Sequence, residues 1–178
     1  TTNTQIIKEV HLDYIEAGAQ YITANNYAVT QPILERADLA NQLEDLTLLS
    51  LSIARDAIKE SGKDIKLAAS LPPLETSYRA DLILDYSKMY DQYQELANIL
   101  EGEVDIIICE TMAHSLEAKA ALSTIQDSTS EKWLGWTLHG NRSNTLPSGE
   151  NINEAFEVTK DLKCDAYMIN CCGVNMVT

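Results

Sequence analysis

Asp105-Ile106-Ile107-Ile108-Cys109-Glu110 decides the fold. Four apolar residues run without polar alternation, as in a strand whose two faces are both covered, the situation of a parallel sheet packed by helices. A helix is predicted on each side of this strand. Residues 85–101 carry Tyr86, Met89, Tyr93, Leu96 and Leu100 along one side and stop at Gly102. Residues 115–126 start at Ser115, a suitable N-cap. Further out, strands are predicted at 20–25, 65–70, 133–138 and 166–170, and helices at 4–17, 30–61 and 151–163. Pro72-Pro73 makes residues 71–81 a loop, and residues 139–150 form a polar loop.

Helix and strand thus alternate, which calls for right-handed crossovers and a parallel sheet. A doubly wound sheet and a (β/α)₈ barrel compete. None of the seven glycines falls in a G-x-G pair, so a dinucleotide-binding loop is absent, and there is no P-loop. Predicted strand starts at 20, 65, 105, 133 and 165 average about 36 residues per unit. Eight units would need roughly 290 residues, within the range of complete barrels. The 178 residues therefore read as one domain, the first helix to the sixth strand of a (β/α)₈ TIM barrel, cut at both ends.

Composition narrows the function classes. Thirteen Lys and Arg against 27 Asp and Glu leave a formal charge of −14. Long-range repulsion then argues against nucleic acid and anionic membrane surfaces as partners. No stretch reaches the roughly 20 apolar residues of a membrane span, and residues 1–10 lack the pattern of a signal peptide. Four cysteines are too few for a disulfide scaffold, so the expected compartment is the cytoplasm.

In a parallel α/β protein the chemistry gathers beyond the C-terminal ends of the strands. Those positions are Asn25, Asn26 and Tyr27; Ser70; Glu110 and Thr111; His139; and Asn170, Cys171 and Cys172. Glu110 shares parity with Ile106 and Ile108 and is expected on the barrel-interior face, where it would bind a cation, act as a base or cap a helix. Cys171 and Cys172 are metal ligands, nucleophiles or small buried hydrophobes. Glu110, His114 and His139 would suit a metal-assisted site, though without H-x-H or H-E-x-x-H spacing. His11 reads as structural or solvated, the three tyrosines at 86, 90 and 93 as packing, and the acidic residues of the helices as solvated.

The strand-end residues resemble those of the homocysteine S-methyltransferases, zinc-thiolate (β/α)₈ enzymes. Thr23-Ala24-Asn25-Asn26-Tyr27 is similar to the family's T-N-T-Y strand end, Asp105 through Glu110-Thr111 to its D-x(4)-E-T, and Ile169-Asn170-Cys171 to its G-[IV]-N-C. The residues from Val10-His11 to Gly18-Ala19, Ala54-Arg55-Asp56-Ala57, and Ser70-Leu71-Pro72-Pro73-Leu74 with Ser77-Tyr78-Arg79 also match. The resemblance implies methyl transfer from a sulfonium or betaine donor to the thiol of homocysteine, giving methionine. It implies Zn²⁺ as cofactor, with Cys171 as one ligand, and Glu110, Tyr27 and Asn25 at the substrate. Homocysteine and a small methyl donor are then the partners, and the oligomeric state stays open. Met168 stands where the family usually has glycine, and the family's later cysteine pair and its first-strand D-G-G are absent. The alternative is a non-catalytic half-barrel that completes its sheet by pairing with another chain.

Overall fold

The computed structural model describes residues 3–177. Five parallel strands form one sheet: β1 (Tyr21–Thr23), β2 (Lys66–Leu71), β3 (Ile106–Met112), β4 (Glu131–Trp136) and β5 (Ala166–Ile169). α1 (Thr4–Glu16) precedes β1, and α2 (Gln31–Arg36), α3 (Leu43–Ser61), α4 (Tyr86–Leu100), α5 (Ser115–Thr124) and α6 (Ile152–Thr159) connect the strands. The strands neighbour one another in chain order, β1 to β5. A doubly wound sheet reverses its order at a switch point, and these five strands contain no such reversal.

Parity divides the sheet into two faces. Ile107, Cys109 and Met112 join the large core shared with Leu51, Leu67, Met89, Leu96 and Leu122, between the strands and the helices. Ile106 and Ile108 pack on the other face with Ala68, Trp133 and Met168. Tyr21 meets Trp133 edge-on there at 5.2 Å. Register is fixed at the N-terminal ends by aspartates. Asp105 accepts from the Leu67 N–H at 2.7 Å, and Asp165 accepts from the Lys132 N–H at 2.8 Å.

Local differences from the sequence reading have identifiable causes. The expected helix over 30–61 is two helices, because Asp38 adopts φ 58° and a 3₁₀ turn, Ala40–Gln42, precedes α3. The third strand continues past Glu110 through a register shift between Cys109 and Met112. His114, not Ser115, caps α5, its Nδ1 accepting from Leu116 N–H at 3.2 Å. Ser115 instead donates its hydroxyl to Glu150. Asn151 opens α6 in a full capping box with Glu154. Gly62 closes α3 at φ 63°, a left-handed position suited to glycine.

Candidate functional site

The C-terminal ends of β2, β3 and β5 converge on one carboxylate. Glu110 accepts a hydrogen bond from Ser70 Oγ on one oxygen and from Asn170 Nδ2 at 3.0 Å on the other. Ser70 is itself pinned: Asn26 accepts from its N–H at 3.0 Å and donates to its carbonyl at 2.8 Å. Asn170 reaches further, accepting from Thr111 N–H at 3.0 Å and donating to Thr111 Oγ1 at 3.2 Å. Both Glu110 oxygens are thus held by uncharged donors, and no Lys or Arg pairs with it among the described residues. The arrangement is a fixed, half-buried acceptor suited to a cationic group brought in from outside.

Cys171 follows at the end of β5. Thr111 Oγ1 donates to its sulfur at 3.5 Å, and Thr137 Oγ1 donates to its carbonyl at 3.3 Å. Thr111 and Cys171 both have positive φ, 59° and 53°. For a β-branched residue that region is sterically costly, and such positions cluster at functional sites. Cys171 is exposed, and Cys172 is partly buried against the core. They line a cleft of about 600 Å³ with Tyr78, Leu138, His139, Gly140, Pro147 and Gly173. Cys109, next to Glu110 in sequence, faces the helices instead. Burial there pushes its thiol far up and keeps it neutral.

Tyr27 is half-buried, its hydroxyl 2.7 Å from Ser77 Oγ. Burial pushes its phenol up, opposed by hydrogen bonds to Ser77 and Thr111, and the neighbouring Glu110 and Cys171 push it the same way as burial. It therefore shares the neighbourhood of both. Asn25 is exposed and lines a separate groove beside Ile7, Val10, His11 and Tyr14 of α1. His114 Nδ1 is committed to its capping bond, and His139 Nδ1 accepts from Asn141 N–H at 3.1 Å. Among the described residues no three His, Cys, Asp or Glu side chains gather as a metal set. Cys171 offers one soft, accessible sulfur, so these residues alone do not fit a zinc ion, which takes at least three protein ligands.

Gly135 was missed by sequence reasoning and shapes this site. A Cβ at that position would lie 3.3 Å from Asn170 Oδ1 and 3.5 Å from the Glu110 Cα, so a side chain would intrude on the network. Ser70 and Asn170 were visible as strand-end positions and motif members, without their bonds to Glu110. Glu117, read as solvated, is only 5% exposed. It accepts from the Leu74 N–H in the segment after β2.

Comparison with known proteins places the chain among relatives. The family model described as homocysteine S-methyltransferase matches residues 1–178. Homocysteine S-methyltransferase 1 of Brassica oleracea var. italica is 28% identical, over 94% of this chain and 58% of its own length. The methionine synthase of Mycobacterium tuberculosis is 24% identical, over 96% of this chain and 15% of its own length. The crystal structure of the homocysteine methyltransferase MmuM from Escherichia coli, metallated form, superposes with a TM-score of 0.84. Identity to it is 23%, covering 97% of this chain and 65% of that one. The chain spans about three fifths of the length of the plant relatives it matches.

Proposed function

The chain belongs to the homocysteine S-methyltransferase family, and on that premise we propose that the protein transfers a methyl group from a sulfonium or betaine donor to the thiol of homocysteine, giving methionine. The observation that carries the reading is the convergence of Glu110 and Cys171 through Asn170 and Thr111 at the ends of β3 and β5, the strands that flank β4. Glu110, held by Ser70 and Asn170, receives the substrate ammonium. Tyr27 walls the site, and Asn25 is the more distant contact. The substrate sulfur lies toward Cys171. In the transfer the donor carbon–sulfur or carbon–nitrogen bond breaks as a new carbon–sulfur bond forms. The donor cation becomes neutral, and the thiol proton leaves to solvent.

In this reading the five strands are part of a closed (β/α)₈ barrel, supported by their chain-order sheet. Zinc would lower the thiol's proton affinity, with Cys171 as the one ligand these residues offer. The four free cysteines suit the cytoplasm. No described helix is long and apolar enough to cross a membrane.

The test uses the full-length protein: homocysteine methylation with S-methylmethionine, S-adenosylmethionine and betaine, and zinc content. Cys171→Ser is expected to lose zinc and Cys172→Ser to retain most of it. Equal loss from both would overturn the ligand assignment. Glu110→Gln should raise the homocysteine KM about tenfold or more, the scale of a lost charge-assisted hydrogen bond, and an unchanged KM would remove Glu110 from the substrate.

A further inference from the structure

Loops ordinarily run over the surface, because buried backbone must find hydrogen-bond partners. The segment after β2 breaks that pattern. Leu71, the last residue of β2, and Pro72, Pro73 and Leu74 beyond it are all buried, and the two prolines have no N–H to offer. Three of its remaining polar groups are met by side chains from three helices. Thr30, the N-cap of α2, donates its hydroxyl to the Leu74 carbonyl at 2.7 Å. Tyr93 of α4, fully buried, donates to the Pro72 carbonyl at 2.8 Å. Glu117 of α5 accepts from the Leu74 N–H at 3.0 Å, with the Tyr93 hydroxyl 3.3 Å away. A carboxylate at that depth is costly unless it is well bonded. Its bonds run to this segment and to the tyrosine that also holds it.

Further along, the same segment reaches the candidate site. Ser77 meets the Tyr27 hydroxyl, and Tyr78 stands at φ 65°, half-exposed, lining the cleft with His139 and Cys171. A side chain presented from a left-handed loop residue keeps its place only if the base of the loop is fixed.

We propose that Glu117 is a positioning residue, which with Tyr93 fixes the base of residues 71–79 so that Tyr78 forms one wall of the methyl-donor site beside Cys171. The donor's identity rests on the methyl-transfer reading above; the positioning rests on the bonds to Leu74 and Pro72. Sulfonium and quaternary ammonium donors are cations, and the face of a tyrosine ring attracts a cation.

The test compares Glu117→Ala, Glu117→Gln and Tyr93→Phe in the full-length protein by amide hydrogen exchange and by steady-state kinetics for each substrate. Glu117→Ala should speed exchange of the amides at 74–79 at least tenfold while those of β2 keep their protection. The donor KM should rise at least fivefold, with the homocysteine KM and kcat within twofold. Glu117→Gln, whose amide oxygen still accepts from Leu74, should recover most of both. Faster exchange spread evenly over α5 and β2, equal shifts for the two substrates, or a glutamine variant no better than alanine would overturn the proposal. Should Glu117→Ala fail to fold, Tyr93→Phe decides: faster exchange confined to 74–79 supports it, and none refutes it. If the wild-type protein does not methylate homocysteine, the functional reading falls, while the exchange results still decide the positioning.

Discussion

Replacing Asn170 by alanine removes three hydrogen bonds of the site together. Thr111 is fully buried, and its N–H loses its acceptor at 3.0 Å. An unsatisfied buried donor costs about 1–3 kcal/mol. Glu110 loses the amide donor at 3.0 Å but keeps Ser70. Because Glu110 is only half-buried, water replaces part of that bond, and about 1 kcal/mol is a fair share of the roughly 1.5–3 kcal/mol of a bond to a charged group. The two losses share one side chain and do not simply add. The expected destabilisation is about 2 kcal/mol, read from denaturant unfolding of the full-length protein. The homocysteine KM should rise with it, because Glu110 is released on one side, while the donor KM stays close to wild type. A double-mutant cycle with Glu110→Ala should give a coupling of about 0.5–1 kcal/mol or more. A loss below about 0.5 kcal/mol, with additive effects in the cycle, would refute the network as a positioning device.

Gly135→Ala should destabilise by about 1–2 kcal/mol, since its Cβ would sit 3.3 Å from Asn170 Oδ1. In an Asn170→Ala background that cost should nearly vanish; an undiminished cost would place the clash elsewhere. The His11 ring is buried, with no partner for Nε2, and burial lowers its pKa below the ordinary 6.5. Below about pH 6.5 the unfolded chain then binds more protons than the folded one, so stability should fall as pH drops from there. Unfolding curves of His11→Phe should lose that pH dependence, and an unchanged slope would refute the assignment.

The fold was legible wherever burial imposed a simple pattern. Ile106 to Cys109 announced a two-faced strand because both of its sides are covered. The break at Asp38 was hidden because the apolar rhythm continues through it, and only the backbone reveals the left-handed residue. Glu110 was legible from its strand-end position, its parity and its place in a D-x(4)-E-T pattern, since alternation along a strand fixes its side of the sheet. Its partners were harder, because Ser70, Gly135 and Asn170 come together only through sheet register, which no local window encodes. Glu117 misled because charge on a helix ordinarily faces water. The small apolar residues around it, Ala118, Ala120, Ala121 and Leu122, all buried, were the available sign that its side of the helix is packed.

Chain-order pairing also bears on how the molecule is made. Each strand from β2 to β5 pairs with the one synthesised just before it, so every new unit meets a template already outside the ribosome. With strands about 36 residues apart, synthesis at about 5–20 residues per second delivers the next one every 2–7 s or so. Throughout that interval the newest strand is an unpaired edge. Nascent chains in which β3 has emerged from the ribosome and β4 has not should therefore recruit chaperones most strongly, with the apolar strand of Ile106, Ile107 and Ile108 exposed and its partner still to come.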